Sequence, residues 1–206
     1  MVRGGDRRAE PVRVLGVDPG TAVTGWGLVE RRDGRVAHLA HGAVTTHPRM
    51  TLATKLATIH AALAELCGRW RPDVVALEQS FVGRNVQSAF RLGEVRGVAM
   101  LAAAAAGIVI AEYSPATVKL AVTGTGRAEK AQVQRAIARE LRVVERLVPD
   151  AADALAVALC HLQSSRLTAL LAEATAPRRV RSPAAAPARP TTRARARPTN
   201  AAEGRR

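Results

Sequence analysis

The order of apolar and polar residues along the chain predicts five strands and five helices. Short apolar runs bounded by Gly, Pro or Asp indicate strands, and the Asp33-Gly34 pair indicates a hairpin turn between the second and third. The apolar run before Glu78 is short and unbroken, which is typical of a strand covered on both faces. The predicted strands are Val12–Val17, Val23–Glu30, Val36–Val44, Asp73–Glu78 and Gly107–Tyr113.

Helices are predicted where apolar residues recur three or four positions apart. The first follows Thr51, whose hydroxyl suits a helix cap, and Gly68 and Pro72 are expected to end it. Its apolar face carries Leu52, Leu56, Ile59, Leu63 and Leu66. The other predicted helices are Asn85–Ala106, a short one around Pro115–Leu120, one that places Val133, Ile137, Leu141 and Val144 on one face, and one from Asp150 past Leu162 towards Ala174.

This order of elements predicts an α/β domain with a mixed sheet. Three strands of hairpin character come first, and the last two strands alternate with helices. If the strand ending at Glu78 pairs in parallel with the one ending at Asp18, both carboxylates leave the same edge of the sheet. Ligand crevices of open α/β sheets lie at the carboxyl ends of the strands. Asp18 and Glu78 are therefore expected to lie together, although 60 residues separate them.

The composition indicates one folded domain between two segments that do not fold. Of the 206 residues, 48% are hydrophobic and only 2% aromatic, so the core is expected to consist of Ala, Val and Leu. Residues 1–11 are predicted to be a disordered leader and residues 12–175 the domain. Residues 176–206 contain nine arginines and one acid among Pro, Ala and Thr, which predicts a disordered basic tail.

The net charge of +14 indicates a polyanionic partner, for which nucleic acid is the first candidate, although the tail carries +8 of that charge. The N-terminus lacks the apolar stretch of a signal peptide. The longest apolar run, Val98–Ala111, is shorter than the roughly 20 residues that cross a bilayer, so a cytoplasmic protein without a membrane partner is expected. Cys67 and Cys160 lack zinc-site spacing and are expected to be buried, reduced thiols.

Four acidic residues are candidates for one chemical site in this basic chain. Asp150 and Asp153 are three positions apart, which places them about 5–6 Å apart on one helix face, where a cation would relieve their repulsion. Four carboxylates without a His or Cys cluster favour Mg²⁺ or Mn²⁺. Two such ions about 3.5–4 Å apart can activate water and stabilise the leaving oxygen of a phosphodiester. The candidate acids are Asp18, Glu78, Asp150 and Asp153.

Each of these acids also has a structural explanation when taken alone. Asp150 after Pro149 suits a helix cap, and acids in a first turn suit the helix dipole. Asp18 could bond its own backbone in a turn, and Glu78 could pair with an arginine. The lone His161 on an apolar helix is expected to be structural rather than a metal ligand. The case for a common site therefore depends on the convergence of the four carboxylates.

Two lysines and one aromatic residue are candidates for nucleic-acid contacts. Lys119 and Lys130, two of only three lysines beside 28 arginines, flank the Gly-rich loop Thr123–Gly126. Lys130 also falls near a helix N-terminus, both lysines are interpreted as phosphate contacts, and the alternative is a pair of ordinary surface lysines. Phe81 lies in a polar stretch three residues after Glu78, where it could stack on an unpaired base or fold back onto the domain.

Five segments carry a family resemblance, in this order: Leu15–Thr21, Ala76–Gln79, Leu92–Gly97, Gly124–Lys130 and Asp150–Ala156. They resemble the motifs of the RuvC family of crossover-junction endodeoxyribonucleases, the Holliday-junction resolvases. The similarity covers roughly residues 12–165. It implies an RNase H-like fold with a mixed five-stranded sheet flanked by helices. It also implies Mg²⁺-dependent, symmetrically paired nicking of two strands of like polarity in DNA recombination and repair.

The same resemblance implies cofactors, partners and residue roles. Two Mg²⁺ ions per active site are implied, with Mn²⁺ as a substitute. The implied partners are a four-way DNA junction, a second copy of the chain, and the RuvA and RuvB branch-migration proteins. The leader, the tail and Ser80–Arg84 depart from the family pattern. The implied catalytic and metal-binding acids are Asp18, Glu78, Asp150 and Asp153, and the implied DNA-binding residues are Phe81, Lys119 and Lys130.

Two other functions are compatible with parts of the sequence. Actin-like and sugar-kinase-like ATPases also open with a strand followed by Asp-x-Gly-Thr, but 206 residues are too few for their two lobes. A non-catalytic junction-binding protein would use the basic loops and tail and would not need the four acids. The helix Asn85–Ala106 contains Gly93 and Gly97 and is apolar around much of its girth, which favours a dimer interface.

Overall fold

The computed structural model describes residues 10–79, 86–143 and 147–175, so the predicted leader and tail lie almost entirely outside the described residues. Within these ranges the predicted order of strands and helices is confirmed. The elements are β1 Val12–Asp18, β2 Val23–Arg32, β3 Arg35–Thr45, α1 Leu52–Trp70, β4 Val74–Glu78, α2 Val86–Ala105, β5 Val109–Tyr113, α3 Pro115–Thr123, α4 Lys130–Glu140 and α5 Pro149–Thr175.

The five strands form one mixed sheet in the order β3-β2-β1-β4-β5. The first three pair antiparallel, and β4 pairs in parallel with both β1 and β5. The predicted mixed α/β sheet is confirmed, and β1 pairs in parallel with β4, which is the condition under which Asp18 and Glu78 were expected to lie together. That pairing makes the carboxyl ends of β1 and β4 neighbours.

Helices cover both faces of the sheet because alternate residues of β1 point to opposite sides. Leu15 packs on the face covered by α1 and α2, together with Ile59 and Val95. Val14 packs on the other face, which is covered by α5, α3 and α4. α5 is buried at nearly every position from Ala151 to Cys160, and Asp153 is the polar exception.

Four helix ends differ from the sequence predictions. α4 ends at Glu140, so Leu141 is its C-cap, and Val144 lies outside the described residues. α1 continues through Gly68 and ends at Arg71, which adopts the left-handed conformation with φ 43° and bonds back to the Cys67 carbonyl. α3 extends to Thr123 and ends in the left-handed Gly124. α5 begins at Pro149, so Asp150 lies in its first turn instead of capping it. No helix among the described residues has the length and apolar character needed to cross a membrane.

Glycines bring the backbone of α5 directly onto β1 and β2. A methyl group added at Gly16 would lie 1.9 Å from the Ala154 carbonyl oxygen, and one at Gly27 would lie 2.4 Å from the Leu155 side chain. A side chain at these positions would separate helix and sheet, which fixes α5 at a close distance. α5 is buried at nearly every position from Ala151 to Cys160, so its distance from the sheet decides where Asp150 and Asp153 reach the surface.

Candidate active site

Asp18 and Glu78 lie side by side at one edge of the sheet. Asp18 is the last residue of β1 and Glu78 the last of β4. The parallel register pairs Val17 with Leu77, so both strands reach this edge together. Each carboxylate is half-buried, because the strands that precede them are enclosed by helices on both faces.

The start of α5 brings two further carboxylates to the same edge. Gly25 of β2 is the strand partner of Asp18, and the Asp150 carbonyl oxygen lies over it, 2.1 Å from where a Cβ would be. Asp153 follows on the same helix, with 21% of its side chain exposed. The charges of Asp150, Asp153 and Glu78 all act on Asp18. The structure therefore brings together all four acids that were selected from the sequence.

Crowding of negative charge changes the titration of the two strand carboxylates. The pKa of Asp18 is raised to about 7, first by burial and then by the charges of Asp153, Glu78 and Asp150. The pKa of Glu78 is raised by burial and by Asp153, while nearby lysines lower it. Such a cluster stabilises bound cations, because a cation removes the repulsion that burial intensifies.

The raised pKa of Asp18 predicts that the metal-free fold loses stability as the pH rises from 3.8 to about 7. In this range the folded state keeps a proton that the unfolded chain releases, which costs up to about 1.4 kcal/mol per pH unit. Asp18→Asn removes the titrating group, so the variant should unfold at higher denaturant concentration than the parent above neutral pH. Denaturant unfolding with a chelator present, at several pH values, measures this difference. If the stability of parent and variant changed with pH in the same way, the raised pKa of Asp18 would be contradicted.

Two lysines face this acidic cluster. Lys130, the first residue of α4, places Nζ 2.6 Å from Oδ2 of Asp153. That hydrogen bond raises the pKa of Lys130, with partial burial acting against it. Lys119 of α3 lines a cleft with Glu78, Lys130 and Asp153. Both lysines selected from the sequence thus lie at the site, and Lys130 bonds a carboxylate instead of facing away from it.

The donor set of this cluster suits a hard cation. The acids supply carboxylate oxygens, which Mg²⁺ prefers. Within the described part of the chain, no three His, Cys, Asp or Glu side chains converge tightly enough to enclose a metal by themselves. Mg²⁺ does not require such a cage, because it keeps several waters and uses one or two carboxylates together with substrate phosphates. The arrangement therefore fits a cation that is completed by a nucleic-acid phosphate.

Of the remaining residues singled out in the sequence, the structure describes His161 and the two cysteines but not Phe81. Phe81 lies outside the described residues. His161 bonds the Tyr113 hydroxyl through Nδ1 at 2.7 Å, and burial lowers the pKa of the imidazole, in agreement with a structural role. Cys67 and Cys160 are buried and form no disulfide, as expected.

Sequence reasoning missed the glycines that position α5. Gly25 and Gly27 alternate within β2, where glycine weakens a strand. Glycine inside a strand pattern is a signal for close approach of another backbone. Here the approaching backbone is that of Asp150, so Gly25 connects the sheet to the acidic cluster.

Comparisons with known proteins give one consistent family. The family model described as crossover junction endodeoxyribonuclease RuvC matches residues 14–161. A curated relative of that description from Geobacter sp. (strain M21) is 44% identical over 158 residues, which cover 77% of this chain and 96% of the relative. One from Rhodospirillum rubrum is 45% identical over 150 residues, covering 73% and 89% respectively.

Solved structures agree with the sequence relatives. Thermus thermophilus RuvC in complex with a Holliday junction substrate is 33% identical, with a TM-score of 0.72, and the match covers 76% of this chain and 96% of that one. The yeast mitochondrial Holliday junction resolvase, 14% identical with a TM-score of 0.58, shares the fold. The mixed sheet with helices on both faces is that of an RNase H-like nuclease domain. The chain belongs to the RuvC family of crossover junction endodeoxyribonucleases.

Proposed function

We propose that this chain resolves Holliday junctions by metal-dependent, symmetrically paired nicking of two strands of like polarity during DNA recombination and repair. The observation that carries the proposal is a cluster of four carboxylates at the sheet edge of a chain with net charge +14. The basic chain attracts phosphates, and the acids hold cations against one of them. The relatives support neither an ATPase nor a non-catalytic binding protein.

The four acids have different roles in the proposed metal binding. Asp18 is proposed as the central ligand, because the charges of the other three carboxylates all act on it. Glu78, Asp150 and Asp153 complete the oxygen donors around it. The four acids would hold two Mg²⁺ ions, or Mn²⁺ in their place, which would supply an activated water and stabilise the leaving oxygen. No side-chain nucleophile is needed.

The lysines and Phe81 are proposed to hold the DNA. Lys119 and Lys130 line the cleft beside Glu78, where their ammonium groups donate to backbone phosphate oxygens. Lys130 bonds Asp153 in the DNA-free chain, which keeps its ammonium directed into the site. Phe81, three residues after Glu78, is proposed to stack on an unpaired base at the junction.

α2 is the proposed homodimer surface. Val95 and Ala99 are buried against the sheet, whereas Phe90 is 70% exposed and Leu101 58% exposed. Residues 90, 93, 97 and 101 share one helix face by spacing, and a Cβ added at either glycine among them would meet nothing within 4 Å beyond its own helix backbone. A second copy can therefore approach closely. A two-fold dimer presents two active sites to two strands of like polarity in the four-way junction. RuvA and RuvB remain the further partners that the family implies.

Cleavage of a mobile four-way junction, compared with linear duplexes of the same sequences, tests the proposed function. We expect the junction to be cut at paired positions in Mg²⁺ and left intact when a chelator replaces it. The linear duplexes are the matched control and should stay uncut. Equal cutting of the linear duplexes would overturn the junction assignment, and cutting in the chelator would overturn the metal assignment.

A further inference from the structure

Two histidines on the edge strand β3 form a close pair outside the acidic cluster. Nε2 of His38 lies 2.9 Å from Nδ1 of His41, and the ring planes are tilted by 45°. β3 pairs only with β2 in the described sheet, whereas the four acids lie on β1, β4 and α5. Both histidines are half-buried, so solvent reaches the pair.

A β-bulge places the two histidines on the same face of the sheet. Residues three apart on a regular strand point to opposite faces. In β3, Ala40 pairs with Leu28 and His38 with Val29, so one extra residue, Leu39, is inserted between them. The bulge returns His41 to the side of His38, because the insertion shifts the alternation by one position.

The strand partners identify that face. Val29, opposite His38, packs in the core beneath α5. Gly27, opposite His41, lies under the Leu155 side chain of α5. Directly opposite residues of an antiparallel pair project to the same side. The sequence of β3 therefore directs two imidazoles to the α5 side of the sheet at its edge.

We propose that His38 and His41 chelate a divalent transition metal of the nickel, copper and zinc group. With metal–nitrogen bonds of about 2.0–2.1 Å, two neighbouring ligands at a right angle are roughly 2.9–3.0 Å apart, and two tetrahedral ligands roughly 3.3–3.4 Å. The observed 2.9 Å matches the first geometry and is within half an ångström of the second. In the hydrogen bond the two nitrogens face each other nearly head-on, so both rings must turn for their lone pairs to converge on a metal ion. The shared proton then passes through solvent to the other nitrogen of its ring, and both imidazoles bind as neutral ligands.

The ligand types separate this site from the acidic cluster. Imidazole suits copper, nickel and zinc, whereas carboxylate oxygens suit Mg²⁺. Within the described residues, no third His, Cys, Asp or Glu joins the His38–His41 pair, so the proposed site is a two-imidazole chelate. Affinity should follow the order Cu²⁺ above Ni²⁺ and Zn²⁺.

Titration of the untagged full-length protein with NiCl₂ in a large excess of MgCl₂ tests the proposal, because Mg²⁺ competes with Ni²⁺ for the carboxylates and binds imidazole poorly. One Ni²⁺ should bind per chain, and His38→Gln and His41→Gln should each weaken binding about tenfold or more, as expected for the loss of one of two ligands. The control is His47→Gln, an exposed histidine after β3. Unchanged binding in both His38 and His41 variants would overturn the site.

A second measurement requires no substitution. In NMR spectra of the unaltered protein, Ni²⁺ should broaden the ring signals of His38 and His41 first and leave His161, which is bonded to Tyr113, unaffected at low metal concentration. Simultaneous broadening of all five histidines would show only scattered surface binding and would contradict the proposal.

Discussion

Asp18→Asn is expected to reduce junction cleavage by about a thousandfold or more, which corresponds to roughly 4 kcal/mol of activation free energy. The substitution keeps the shape of the side chain and removes the charge that three other carboxylates and a lysine surround. Junction binding should be unchanged or slightly tighter, because a negative charge facing phosphates is lost. Single-turnover cleavage at saturating protein, together with binding measured in a chelator, separates these effects.

Asp33→Asn is the matched control for this prediction. Asp33 lies in the β2–β3 hairpin turn with φ 52°, a conformation that asparagine also adopts readily. The control makes the same chemical change away from the cluster and should cut at the parent rate. Parent-rate cleavage by Asp18→Asn would exclude Asp18 as a metal ligand. Equal losses in both variants would indicate a general effect of charge on DNA binding.

The fold was predictable where local pattern and topology agree. The unbroken apolar run before Glu78 predicted a buried strand, whereas its parallel pairing with β1 was only a condition of the argument and is supplied by the structure. Helix ends were less predictable, because tertiary packing decides them. α1 passes through Gly68 since Leu63 and Cys67 remain buried beneath it, and Arg71 ends the helix in a conformation more often taken by glycine.

The candidate site was predictable as a set of residues but not as a geometry. Strand ends indicated Asp18 and Glu78, and helical spacing joined Asp150 to Asp153. Nothing in the sequence indicated that Lys130 bonds Asp153, since that contact joins two helices whose relative position depends on the whole core. The short distance between α5 and the sheet was equally unpredictable. It depends on whether the glycines of β1 and β2 let the helix backbone come close.

Gly25→Ala is expected to impair cleavage strongly although residue 25 carries no chemistry. The added methyl group would lie 2.1 Å from the Asp150 carbonyl oxygen and 2.3 Å from its carbon, so the first turn of α5 must move away from β2. A displacement of about 1 Å in a catalytic group can cost about a hundredfold in rate. Overpacking of this kind also destabilises folds by about 1–3 kcal/mol. Junction affinity should change little, because the lysines lie on α3 and α4.

Gly68→Ala is the matched control, since it makes the same change inside α1, where a methyl group meets no atom within 4 Å. Alanine there should raise helix stability by up to about 1 kcal/mol and leave cleavage unchanged. The two variants are compared by single-turnover cleavage at a temperature where both are folded, with thermal unfolding as the check. Parent-rate cleavage by a folded Gly25→Ala variant would show that the site tolerates movement of Asp150. A rate loss with unchanged affinity would show that the approach of α5 to β2 sets the geometry of the four acids.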